Sequence, residues 1–121
     1  MTTILYHHDA FIDHEVPQGH PERPDRMRAL TKALSEPAFD ALDRRPSPDI
    51  GDEALLLAHP EAYVAAIRDA APEDGLVSID ADTVMSPGSL EAALRAVGGA
   101  CAAVDAVLAG EAGNAFCAHR P

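Results

Sequence analysis

The chain has 121 residues, enough for one domain, and its 47% apolar and 24% charged composition is that of a globular protein. Nine basic against twenty acidic residues give a net charge of −11, which repels nucleic-acid backbones and excludes DNA or RNA as a direct ligand. No apolar run approaches a membrane span, and the amino terminus lacks the basic and apolar regions of a signal peptide, so a cytoplasmic protein is expected.

The first element expected is a short strand over Thr3–Tyr6, ending in "HHD". The loop "GHPERPDR" follows, Gly19 to Arg26, with two prolines, two arginines, two acids and a histidine in eight residues. A simple turn needs none of these, so the loop is the first suspect for function. Met27, Leu30 and Leu34 then recur at helical spacing, with Pro24 in the first turn and Pro37 as a stop. Ala41–Arg45 is a weak strand candidate before the turn "RPSPDIGD". Asp52 is placed to cap a short turn, and "HPEAYVAAIRDAAP" puts Tyr63, Val64 and Ile67 on one helical face.

The clearest element is a helix from Ser89 to Ala109. Leu90, Leu94, Val97, Cys101, Val104 and Leu108 lay one apolar stripe along it, alanine filling much of the remaining surface. Ser86 or Ser89 can cap its start, and Gly110 can close its end in the left-handed conformation. Gly98 and Gly99 each cost about 1 kcal/mol relative to alanine, a cost that close approach to a sheet explains. A strand over Ala115–Ala118 ends the pattern, apolar throughout as in a buried parallel sheet. Alternating strands and helices give an α/β architecture.

Six histidines raise a metal hypothesis. His7 and His8 are adjacent on a strand and point to opposite faces. His14 and His20 share the loop with no cysteine near, and remain an outside candidate for a metal. His59 precedes Pro60 at a helix start, a structural position. Cys101 and Cys117 sit in apolar patterns and are expected as buried thiols rather than a bridge.

"GHPERPDRMRAL", "AHPEAYV" and "DADTVMSPGSLEAALRAVGGACAAVDAVLAGEAGNAFCAHRP", in this order, resemble the amino-terminal part of the histone deacetylase superfamily, with its acetoin-utilisation proteins and acetylpolyamine amidohydrolases. The resemblance covers nearly the whole chain. It implies an arginase–deacetylase type fold, a parallel sheet flanked by helices, of which residues 1–121 supply an incomplete amino-terminal segment with about three strands and the first strand central. It also implies a zinc-dependent amidohydrolase acting on acetylated amines. In that chemistry zinc polarises the amide carbonyl and water, a histidine pair moves protons, and a tyrosine assists the oxyanion.

The family's histidine pair follows the "RP" that is here Arg120–Pro121, and its zinc ligands come later still. "HHD" at His7–Asp9 ends the first strand, not the third, and is not that pair. On this resemblance the chain holds no catalytic residue, binds no zinc and is inactive alone. By the same resemblance His20, Pro21 and Asp82 belong to the rim of the substrate channel, with Asp80 a rival for Asp82, and Arg26 lies beside an internal channel beneath the zinc. Plain structural roles stand beside these: Arg26 pairing with Glu22 or Asp25, and Asp82 capping a turn. The family places a further strand beyond Ala115–Ala118, so an open edge there implies a homo-oligomer. A deacetylase segment is one function class. The other is a stand-alone interaction or regulatory module that keeps part of the fold.

Overall fold

The computed structural model describes residues 1–121 as one α/β unit. Strand β1, Thr3–His7, lies at the centre of a three-stranded sheet in the order β2-β1-β5, with β2 spanning Asp43–Pro46 and β5 spanning Asn114–Cys117. Both pairings are parallel; Ile4 sits opposite Asp43 on one side and Ala115 on the other. The expected topology is present, with the first strand central. β2 starts two residues later and ends one later than its weak apolar signal, because this edge strand is "DRRP", paired through its backbone and carrying charge on its side chains.

Alternation along β1 divides the core. Ile4 and Tyr6 meet Ala103, Ala106 and Ala112 on one face. Leu5 meets Phe11, Met27, Ala92 and Ala118 on the other. Helix α1, Pro24–Leu34, has Pro24 at its start and covers the Leu5 face with Met27, Leu30 and Leu34. The four-residue α2, Asp52–Leu55, is capped by Gly51; Asp52 is its first residue and pairs instead with Arg68 of α3, Glu61–Ala70. Of the apolar face expected on α3, only Val64 is buried, and Tyr63 is half exposed against the His59 ring, 5.3 Å away. Strands β3, Val77–Ser78, and β4, Val84–Met85, form an antiparallel hairpin that no sequence signal announced.

Helix α4, Ser89–Leu108, inverts the expected packing. The buried side is the small one, Ala92, Gly99, Ala103 and Ala106, with Ala96 packed alongside. The large stripe faces away: Leu90, Leu94 and Val97 are half-buried, whereas Cys101 is exposed, Val104 is 57% exposed and Leu108 81%. Small side chains let the helix axis approach closely, and the approach is to the segments that follow the strands. A Cβ on Gly99 would fall 2.5 Å from Ser47 Oγ, and one on Gly98 would clash with the Pro48 carbonyl. Cys101 is thus an exposed thiol, not a buried one, and Cys117 is half-buried; both are free.

Gly110, at φ +77°, ends α4 in the left-handed conformation. The Glu111 amide donates to Ala106 O and the Gly110 amide to Val107 O, a Schellman closure. At the other end the assigned cap is Gly88, with no side-chain bond. The serines act one step earlier: the Ser86 amide donates to Ser89 Oγ at 2.7 Å, the returning half of a capping box. No helix is long and apolar enough to cross a membrane.

Candidate functional site

The loop that joins β1 to α1 is folded by its own polar groups. His8 accepts from the Ala10 amide through Nδ1 at 3.0 Å and so caps the short turn after β1; His7 is exposed. Ser86 Oγ donates to Asp13 O at 2.9 Å and accepts from the Glu15 amide at 2.9 Å, tying the loop to the start of α4. His14, 5% exposed, has both ring nitrogens engaged: Nδ1 lies 2.6 Å from Ser89 Oγ and Nε2 3.4 Å from Glu22. Further on, His20 Nδ1 is 3.1 Å from both the amide nitrogen and the carbonyl oxygen of Glu22, closing a tight turn.

Glu22 is the hinge pin of this arrangement. Arg120, 5% exposed, grips it with two parallel bonds, Nε to Oε1 at 2.6 Å and Nη2 to Oε2 at 2.7 Å. The same guanidinium donates through Nη1 to Phe11 O at 2.9 Å and His14 O at 2.6 Å. Burying a guanidinium requires this degree of satisfaction. The stiff charged loop is therefore fastened by one arginine to the segment leaving β5. Arg26 lies 3.8 Å from Glu22 with its side chain 64% exposed, a weak surface pair that leaves its charge open to solvent.

Around this clamp lies a cavity of about 560 Å³. Its floor is apolar, with Val64, Ile67, Leu90, Leu94 and Val97; its polar margin includes His20, Glu22, Arg26, Asp82, His119 and Arg120. Three of the four residues singled out from the sequence, His20, Arg26 and Asp82, thus meet at one cavity. Pro21 is exposed and does not line it. The two aspartates differ in their local bonding. Asp80 Oδ1 accepts from the Asp82 amide at 2.8 Å and holds the β3–β4 turn, and that bond keeps its carboxyl below the usual range. Asp82 is exposed at the hairpin tip with its carboxylate unengaged by the turn.

His119 also borders the cavity, with Nε2 2.7 Å from Ser47 Oγ and its ring 4.8 Å from that of Phe11. Ser47 is fully buried, so this pair is a packing joint, not a nucleophile and base. No three His, Cys, Asp or Glu side chains converge as metal ligands, and both nitrogens of His14 are occupied. The residues present do not fit a zinc ion. What the cavity offers is one open cation, Arg26, and one open carboxylate, Asp82, over an apolar floor.

Sequence reasoning named Glu22 only as a partner for Arg26, His14 only as an outside metal candidate and Ser86 and Ser89 only as helix caps, and it gave Arg120 no role at the site. An arginine soon after an apolar strand is a signal of a kind, since once buried it must find an acid, but nothing local says which.

Burial pushes the His14 imidazole down from its ordinary value of 6.5, and the Arg120 charge adds to this; burial does the same to His119. The Arg120 hydrogen bonds hold the Glu22 carboxyl below its ordinary 4.5. All three shifts have one sign: the unfolded chain takes up protons first, so stability falls with falling pH. Thermal unfolding followed by circular dichroism should show a first loss below pH 6.5 from the histidines and a second below 4.5 from Glu22. A His14→Gln variant should flatten the first loss; a profile level from pH 7 to 5 would contradict the assignment.

Residues 20–121, from the first residue of the clamp loop's "HPE" onward, match the histone deacetylase domain family. The chain belongs to the histone deacetylase family. Among curated relatives, a histone deacetylase-like amidohydrolase of Pseudomonas aeruginosa is 41% identical over 104 residues, covering 85% of this chain and 27% of that protein. A probable deacetylase of Archaeoglobus fulgidus is 33% identical, covering 100% of this chain and 34% of that protein. The chain thus spans about a third or less of these relatives. The crystal structure of the HDA15 HD domain superposes with a TM-score of 0.91 at 24% identity, covering 99% of this chain and 35% of that one, which shows the shared fold.

Proposed function

We propose that this chain forms the amino-terminal part of a zinc-dependent deacetylase domain acting on acetylated amines such as acetyl-lysine or acetylpolyamines, and that the 121 residues alone are inactive. The observation that carries this reading is the meeting of His20, Arg26 and Asp82 at one cavity in a chain of this family. In it, Asp82 accepts hydrogen bonds from a bound substrate's backbone amides at the rim. Arg26 supplies a fixed positive charge that attracts a carboxylate product. His20 and Pro21 shape the rim, and the Glu22–Arg120 pair keeps that rim in place. Zinc in the complete domain is supplied with ligands by residues outside this chain, since the residues here do not fit it. The reading includes a cytoplasmic protein, in keeping with two free cysteines.

The test is to dialyse the 121-residue protein against zinc, measure bound metal, and assay a fluorogenic acetyl-lysine substrate. The expected result is no stoichiometric zinc and no turnover. One tightly held zinc per chain, with turnover abolished by a chelator, would overturn it. A binding module without chemistry is the second reading, favoured by the outward apolar face of α4, where Leu108 is 81% exposed. Weak zinc binding lost in His14→Ala or His20→Ala, without turnover, would support a metal-binding form of that module.

A further inference from the structure

The loop between β1 and α1 has almost no apolar hold on the rest of the fold. Between Phe11 and Met27 only His14 is buried, and Pro17, Gln18, Gly19 and Pro21 are exposed. The bonds that reach the loop from later elements come from three side chains, Ser86, Ser89 and Arg120. His14 sits in their midst. Hydrogen bonding fixes the state of its ring. The Ser86 hydroxyl hydrogen is used on Asp13 O, and Ser89 Oγ accepts from the Ser86 amide, so the Ser89 hydroxyl is left to donate to His14 Nδ1. The single N–H of the neutral imidazole then lies on Nε2 and faces the Glu22 carboxylate 3.4 Å away. Glu22 is the only carboxylate bonded to this cluster, and Arg120 already takes both of its oxygens. The other charged or titratable groups close by, Arg26 at 3.8 Å from Glu22 and His20 within the loop, are basic too. Asp13 and Glu15 are exposed and engage Ser86 through backbone atoms.

We propose that His14 is a proton-operated latch: uptake of one proton by its ring releases the loop from His14 to Glu22 while the sheet and its helices stay folded. The added proton sets two buried cations, imidazolium and guanidinium, against one carboxylate. Lifting the loop into water relieves that conflict, and no apolar side chain of the loop holds it back. Burial and the Arg120 charge hold the docked ring below its ordinary 6.5, so the released loop takes up the proton first. The sign follows. Docking is at full strength above pH 6.5 and weakens by up to about tenfold for each pH unit below it. Glu22, held below its ordinary 4.5, stays ionised over that first unit and keeps its grip on Arg120 until the loop leaves. Release withdraws His20 and Glu22 from the margin of the cavity, so acid opens the rim.

The latch concerns the loop alone and holds whatever chemistry the cavity serves. The test is amide hydrogen exchange by NMR from about pH 7.5 to 5.5, in buffer containing a chelator, with each rate referred to its intrinsic value at that pH. Wild type, His14→Gln and His119→Gln are compared, with circular dichroism to confirm folding. The probes are the Glu15, His20 and Glu22 amides in the loop and the Ile4, Leu5 and Tyr6 amides of β1. The loop amides should be less protected than those of β1 at every pH, and their protection should fall about tenfold across the range. His14→Gln should level that fall, and His119→Gln should leave it in place. Loop amides that exchange only together with β1, at equal protection, would overturn the latch, because the loop would then leave only when the whole fold opens. So would a level wild-type loop profile, or a fall that survives in His14→Gln. The wild-type comparison of loop with β1 decides even without a folded His14→Gln.

Discussion

Arg120→Ala should lower the stability of this protein by about 3 kcal/mol, the scale of breaking a buried ion pair on one side. The substitution removes two bonds to Glu22 and leaves the carbonyls of Phe11 and His14 without their donor. Against a total of about 5–15 kcal/mol for a domain, that is a large share. Arg120→Lys should recover little, because an ammonium cannot grip a carboxylate with two parallel bonds while reaching two carbonyls. Glu22→Gln should also destabilise, since it strands a guanidinium that is 5% exposed, and it should erase the acid leg of the pH profile below 4.5. Urea unfolding of the three variants checks this. A loss under about 1 kcal/mol in Arg120→Ala would mean the loop is held by something else.

The second large effect is expected at Gly98. By helix propensity alone, Gly98→Ala should stabilise α4 by about 1 kcal/mol. The structure reverses the sign, because the new Cβ would press into the Pro48 carbonyl, a backbone atom that cannot rotate away. Gly98→Ala is expected to cost about 1–2 kcal/mol net, and Gly98→Val about 3. Gly98 lies in a helix that packs on segments following both outer strands, so relief at Pro48 would shift its neighbours too. Ala100, exposed on the same helix, makes the control: Ala100→Gly should lose only the propensity difference of about 1 kcal/mol. A stabilised Gly98→Ala would refute the close approach.

These two sites also mark how far the sequence can be read. The glycine pair was legible because a mid-helix glycine is a local cost that needs a reason, and close approach is the reason found. The Gly110 closure and the central first strand were legible for similar local causes. The burial of α4 was not, since apolar residues occupy both of its faces and periodicity cannot say whether leucines or alanines turn inward. Packing decided it: a helix pressed against Ser47, Pro48 and His119 has room only for the small face. β3 and β4 have two residues each, too few for any alternation to register. At the site, His20, Arg26 and Asp82 were found through family motifs, and the structure brings them to one cavity. The bonds that organise that cavity join residues far apart in the chain, Glu22 with Arg120 and His14 with Ser89, and no local pattern encodes such pairs.

The strand order carries a consequence for how the molecule assembles. β1 and its partner on one side lie far apart along the chain: Thr3 is opposite Asn114, more than a hundred residues later. The β1–β5 pairing cannot form until Asn114–Cys117 has been made, and it waits for two strands far apart in the chain to meet. Loop-closure entropy is spent before any of the β1–β5 contacts are returned, which places folding among the slow, non-local cases. Until then Ile4, Leu5 and Tyr6, all nearly fully buried in the finished fold, stand open to solvent and to other chains. The most vulnerable moment for this protein is its synthesis, and the residues at risk are the ones that later form its centre.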